Sequence, residues 1–142
     1  MDGLGRVVNV VPIASGRGLA LRDCSAITFV CTGSDTFSLT TATTFAGTYR
    51  AGSFFTPAWA PISRLYLAAA TNGSAAWTVS AIPAADNTGA QTNTVAFTVH
   101  ESQLPDTYKY LKCTAGASGL VTAILHDLKV QRRPSNLAIV SA

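Results

Sequence analysis

The histidines and cysteines are the side chains of this sequence best suited to chemistry. His126 is followed directly by Asp127, a pair that could exchange a proton. Neighbouring residues on a strand point to opposite faces of the sheet, so we do not expect these two side chains to hydrogen-bond. Cys24 and Cys31 are seven residues apart with a predicted strand between them, unlike the Cys-x2-Cys spacing of zinc sites. The pattern predicts no metal site and no cofactor.

A nucleophile would need a supporting motif. The sequence has no Gly-x-Ser-x-Gly elbow, and Gly16-Arg17-Gly18 is too short for a phosphate-binding loop. Most of the 7 acidic residues, among them Asp35, stand beside turn residues, where an Asp side chain caps the backbone. Their spacing does not favour a glycosidase pair. We therefore expect no catalytic residues and no enzyme activity.

The three cysteines are an odd number, which argues against a disulfide framework. They are most simply small apolar residues on strands. The start of the chain lacks the basic and then apolar layout of a signal peptide, and residues 7–13 form too short a run to span a bilayer. We expect a protein that is made in a cytoplasm, without a signal peptide and without a membrane partner.

Charged residues are scarce. They make up 12% of the 142 residues, about half the ~25% typical of soluble domains. A free monomer usually keeps itself soluble with a charged surface. The scarcity predicts a subunit that hides much of its surface against other subunits. The net charge of +3 is concentrated at Lys129, Arg132 and Arg133, without the basic stripe and interleaved aromatics of a nucleic-acid binder, so no specific nucleic acid is expected.

The elements that must position these side chains are strands. Period-two patterns predict strands over residues 26–31, 36–40, 64–68, 77–82, 94–100, 107–114 and 120–130. Turn signals at residues 33–35 and 115–119 predict two hairpins. Pro83 is expected to end its strand, and residues 84–92 to form an exposed loop.

The predicted fold class is all-β, an antiparallel sandwich or barrel-like domain with extended terminal arms. The domain is assigned to residues 19–130, with an N-terminal arm over 1–18 and a C-terminal arm over 131–142. Apolar residues near a chain end need a surface to pack on. That surface is either the chain's own domain or a neighbouring subunit, to whose sheet edge a strand-like arm could add.

Residues 51–62 form an aromatic, proline-broken loop that is either tucked under the sandwich or part of an interface, where aromatics are enriched. The candidate interface combines this loop with both arms. Its residues are Val7, Val8, Val10, Val11, Phe54, Phe55, Trp59, Arg132, Arg133, Leu137, Ile139 and Val140.

Four segments resemble small β-rich virion proteins of tailed bacteriophages of actinobacteria. They are LALRDCSAITFV at 19–30, TFSLT at 36–40, LPDTYKYLK at 104–112 and GLVTAILHDL at 119–128. The resemblance implies a capsid decoration or minor capsid protein on the surface of the virion. It also implies two partners, the major capsid protein and further copies of this chain, often as trimers.

Two other functions stay open. One is another virion part, a tail-tube or head-completion protein, which would differ in copy number per particle. The other is a carbohydrate-binding or adhesive β-sandwich module, in which Trp59, Tyr66 and Trp77 would stack on sugar rings.

Overall fold

The structure is a computed structural model that describes residues 8–13, 16–21, 24–70 and 74–129. Within these ranges the chain forms ten strands and two single turns of 3-10 helix, at Gly52–Phe54 and Glu101–Gln103. The strands are β1 (Val8–Ile13), β2 (Gly18–Ala20), β3 (Cys24–Thr32), β4 (Asp35–Ala42), β5 (Ile62–Ala68), β6 (Trp77–Ala85), β7 (Asn87–Gln91), β8 (Thr94–His100), β9 (Tyr110–Ala115) and β10 (Leu120–Leu128). No helix of the described ranges is long and apolar enough to cross a bilayer.

The strands make two antiparallel sheets. The larger has six strands in the order β1-β10-β3-β8-β5-β6, and the smaller has four in the order β2-β9-β4-β7. The two sheets pack face to face over one hydrophobic core. The predicted all-β sandwich is therefore confirmed.

The core contains large apolar side chains from both sheets. Phe29 and Phe97, on neighbouring strands of the larger sheet, have ring centroids 5.5 Å apart. Phe37 and Leu39 of the smaller sheet are fully buried, as their alternation predicts. Each such side chain stabilises the fold by about 1.5–3 kcal/mol through removal of apolar surface from water.

Neither predicted hairpin forms. β3 lies in the larger sheet and β4 in the smaller, and the same is true of β10 and β9. The turn at residues 33–34 and the turn at residues 116–119 therefore carry the chain from one sheet to the other. Turn residues determine that the chain reverses, but the packing of inward-facing side chains from two sheets decides which strand becomes the partner.

Two predictions about residues 83–92 are wrong. β6 continues past Pro83 to Ala85, which is tolerated because β6 is an edge strand and its register shifts next to the proline. Residues 87–91 form β7 rather than an exposed loop. Thr88 is buried there, and its Oγ1 accepts the Phe37 N–H at 3.1 Å. A side-chain hydrogen bond thus holds a strand that apolar alternation does not reveal.

The stretch predicted as an N-terminal arm contributes a strand to the sandwich. β1 pairs antiparallel with β10 and forms one edge of the larger sheet, with Val10 opposite Ile124. A segment of the same chain reaches that edge with a smaller entropy loss than a second molecule would. The C-terminal arm, residues 131–142, lies outside the described residues and stays a prediction.

Candidate interaction surface

The outer face of the larger sheet is the side turned away from the smaller sheet. Its residues follow from the register, because residues directly opposite each other on antiparallel strands share a face. One row across the sheet consists of Thr122, Val30, Ala96, Tyr66 and Val79. The next row includes Val10, Ile124, Thr28 and Thr98.

This outer face is apolar. The described chain exposes six large hydrophobic side chains, and five of them are here: Val10 (54% exposed), Tyr66 (41%), Trp77 (51%), Val79 (59%) and Leu120 (72%). Among the described residues of the face, Arg64 and the carboxylate of Asp127, which lies beside His126, are the side chains with a permanent charge. An apolar concentration of this kind on one face is typical of an interaction site.

The two edges of the larger sheet are poorly suited to pairing with another strand. β1 contains Pro12 and β6 contains Pro83. Proline lacks the N–H that a ladder needs, and natural edge strands use it to block edge-to-edge association. The outer face, rather than either edge, is therefore the better candidate for contact with a partner.

A polar depression of about 430 Å³ interrupts the outer face at one end. Its lining comes mainly from β5, β8 and β10 and consists of Pro61, Ser63, Arg64, Tyr66, Thr98, His100, Gln103 and His126. Thr28 lies beneath, with its Oγ1 2.8 Å from His126 Nε2 and 2.8 Å from Thr98 Oγ1. Hydroxyl groups of two strands thus hold the His126 ring in place.

The ring of His126 lies close to the side chain of the next residue. Its Nδ1 is 3.5 Å from Asp127 Oδ2, a distance within ion-pair range. Asp127 has a φ of 54°, a left-handed conformation that breaks the strand alternation and turns its carboxylate toward the ring. The prediction concerned a hydrogen bond between these two side chains, and this approach is not one.

The carboxylate, imidazole and hydroxyl of Asp127, His126 and Thr28 are ordered as in a hydrolytic triad. Thr28, however, lies in β3, which pairs on both sides with β10 and β8. Backbone N–H groups engaged in such ladders are not available to stabilise an oxyanion, which is the largest catalytic contribution in triad enzymes. The arrangement is better suited to orienting His126 than to nucleophilic attack.

The aromatic loop is divided between surface and core. Phe54 is exposed, with the Arg50 guanidinium 4.4 Å above its ring. Phe55 is half-buried and makes edge-to-face contacts with Phe54, Trp59 and Tyr108. Phe54 is thus the loop side chain most available to a partner.

Trp59 is 7% exposed, and its Nε1 donates to the Gln103 carbonyl at 2.7 Å. Trp59 therefore offers little of its ring to a partner or a sugar, and of the two placements open for this loop its burial fits the one under the sandwich. Its large ring fills the core, and its N–H finds a partner inside the domain.

The remaining predicted interface residues lie in β1 or outside the described ranges. Val10 belongs to the outer face, whereas Val11 packs partly buried against the core. The backbone of Val8 pairs opposite His126. Residues outside the described ranges are Val7, Arg132, Arg133, Leu137, Ile139 and Val140.

The sequence contains a signal for the outer face that the predictions did not use. In β10, Leu120, Ile124 and their buried neighbours make both faces of the strand apolar. In β6, Trp77 and Val79 are two residues apart and therefore lie on the same face of an edge strand. Apolar residues on the face of a strand that would otherwise meet solvent indicate that both faces of the strand are covered.

Comparisons with protein-family models, with curated proteins and with solved structures give no match to this chain. What the protein does is therefore inferred from its own geometry and chemistry.

Proposed function

We propose that this protein is a structural subunit of a bacteriophage particle, a capsid decoration or minor capsid protein that binds neighbouring subunits through the outer face. One observation carries the proposal: five of the six exposed large hydrophobic side chains of the described chain share that nearly uncharged face. The scarcity of charge across the whole chain and the resemblance to virion proteins support the same assignment.

The size of the outer face suits a contact that is repeated many times. Six strands at ~4.8 Å spacing and seven residues at ~3.3 Å rise give a face of about 29 by 23 Å. The resulting ~670 Å² is somewhat below the ~800 Å² that each partner buries in a stable standard interface. A single contact would be weak, but many copies held in one lattice bind through effective concentration.

The binding experiment compares two glutamate substitutions on edge strands. Val79→Glu places a charge on the outer face, and Ala90→Glu places one at an exposed position of β7 in the smaller sheet. The experiment measures binding of each purified variant to bacteriophage heads that lack this protein, together with the stability of these heads. We expect Val79→Glu to weaken binding at least tenfold, about 1.4 kcal/mol, and Ala90→Glu to match wild type.

The proposal fails if Val79→Glu binds like wild type. It also fails if the wild-type protein does not bind such heads and the heads are no less stable without it. Copy number per particle separates a decoration protein, present in hundreds of copies on the shell, from a tail-tube or head-completion protein.

One observation favours a second candidate, a carbohydrate-binding module. Tyr66 and Trp77 lie on neighbouring strands, share the outer face and are both about half exposed. Two aromatic rings on one flat surface can stack on sugar rings. A glycan-binding screen in which a hit disappears on Trp77→Ala would support this function, and a screen without hits would remove it.

A further inference from the structure

The polar depression places a cationic group within the surface that the proposed function covers. Arg64 lines it, and Arg64 forms no ion pair with an acidic residue of the described chain. We propose that the depression binds a carboxylate from an Asp or Glu side chain of the docked neighbouring subunit, an inference that rests on the proposed function. The partner therefore carries an acidic residue at the matching position.

The guanidinium of Arg64 lies on the surface that the docked subunit would cover. A subunit that covers the outer face removes water from that group, and an uncompensated charge at a covered interface is strongly unfavourable. The planar guanidinium matches a carboxylate through two parallel N–H···O bonds. A carboxylate is therefore the group that best restores the lost solvation.

The depression contains no compensating carboxylate of its own, because none of its lining residues is acidic. Glu101 is paired with Lys129, and Asp127 Oδ2 lies 3.5 Å from His126 Nδ1. Gln103 is engaged as well, because its Nε2 donates to the Pro61 carbonyl and its Oε1 accepts the His100 N–H. The depression thus offers an incoming anion Arg64, the two imidazoles and hydroxyl groups.

The position of the depression favours a protein partner over an acidic sugar. Tyr66 belongs both to its wall and to the apolar row that ends at Val79. A flat protein surface lying on that row would reach the depression with a side chain. An acidic sugar is the alternative occupant and is included in the test.

The direct test is a nuclear magnetic resonance titration of the full chain, read at the ring protons of His100 and His126. The probe is glutamate capped at both ends, and capped glutamine is its neutral control. We expect saturable shifts with capped glutamate only, with a dissociation constant on the order of 10 mM. Arg64→Gln should abolish the shifts and Arg64→Lys should weaken them.

The control variant is Arg50→Gln, which removes an exposed arginine that stacks on Phe54. It should behave like wild type. Shifts that are absent, that capped glutamine reproduces, or that survive Arg64→Gln would overturn the inference. Glucuronate that binds at least tenfold more tightly than capped glutamate, with loss of binding on Tyr66→Ala, would also overturn it in favour of a sugar.

Head binding distinguishes this inference from the proposed function. If both hold, Arg64→Gln and Val79→Glu each weaken binding about tenfold or more, and Arg50→Gln does not. If Val79→Glu weakens binding and Arg64→Gln does not, the carboxylate inference falls and the proposed function stands. If Val79→Glu has no effect, the proposed function falls.

Discussion

The Asp35 carboxylate accepts the Gly119 backbone N–H at 2.8 Å, and this bond joins the two places where the chain crosses between the sheets. Asp35 begins β4 just after the first crossover, and Gly119 precedes β10 at the end of the second. The same carboxylate accepts the Ala117 N–H at 2.9 Å and the Thr36 N–H at 2.8 Å. One partly exposed carboxylate thus stabilises both crossovers of the sandwich.

Replacement of Asp35 by Asn should lower stability in a way that depends on pH. Hydrogen bonds from the backbone of Ala117 and Gly119 hold the pKa of Asp35 below its ordinary value. Because the folded pKa is the lower one, the stabilisation is complete above the unfolded pKa of about 3.9 and is lost as pH falls through the folded pKa. Urea unfolding midpoints of wild type and Asp35→Asn should differ at pH 7 and converge in acid. Profiles that stay parallel down to about pH 2 would contradict this role.

Gly119 should not tolerate a side chain. A Cβ at this position would lie 2.7 Å from two carbons of the Phe37 ring and 2.9 Å from Asp35 Oδ2. Phe37 is fully buried, so its ring has little room to move. Gly119→Ala should therefore lower the free energy of unfolding by about 1–3 kcal/mol, measured by urea denaturation. Ser118→Ala, next to it and exposed, should change it by less than about 0.5 kcal/mol, and equal effects of the two would show that the close contact is absent.

The described cysteine thiols should be unreactive in the folded protein. Cys24, Cys31 and Cys113 are fully buried. A hydrogen bond with Cys31 and burial raise the pKa of Cys113 well above its ordinary value, which lowers its thiolate fraction. Labelling with a thiol-specific disulfide reagent at about pH 8 should proceed no faster than unfolding and should speed up in denaturant. Rapid labelling under native conditions, with the fold intact by circular dichroism, would contradict this burial.

Local patterns predict much of this fold. β8 extends over Thr94–His100, which is the predicted range. Its apolar side chains alternate along the strand, and its β-branched residues favour a strand with one buried face. The separation of β3 and β4 into different sheets is not predictable in this way, because a Gly-Ser turn looks the same whether the next strand stays in the sheet or leaves it. β7 is missed because a side-chain hydrogen bond at Thr88 holds it.

The candidate site illustrates the same limit. Tyr66 and Ile124 come to share one face of the sheet only through the register of β5, β8, β3 and β10, which include strands far apart in sequence. The exposed aromatics show a further limit, because Trp59 and Trp77 have similar apolar surroundings in the sequence. The structure buries the first and exposes the second.

This difference between the two tryptophans gives a direct optical test. Trp59→Phe should lower the free energy of unfolding by about 1–3 kcal/mol, because it leaves the Gln103 carbonyl without its 2.7 Å donor. Trp77→Phe, at an exposed position, should change it by less than about 0.5 kcal/mol. Each variant keeps one tryptophan, Trp77 in Trp59→Phe and Trp59 in Trp77→Phe. In the folded protein, iodide should quench the fluorescence of Trp77 far more than that of Trp59. Equal quenching would contradict the burial of Trp59.

The same pair of variants reports on docking of the outer face. If this face covers a neighbouring subunit, binding to heads should protect Trp77 from iodide and leave the already low quenching of Trp59 unchanged. Protection should vanish in the double variant Trp59→Phe/Val79→Glu, because Val79 lies on the same edge strand as Trp77. Binding without protection of Trp77 would mean that another surface makes the contact. The next position to substitute would then be Phe54, the exposed large hydrophobic residue of the described chain that lies off this face.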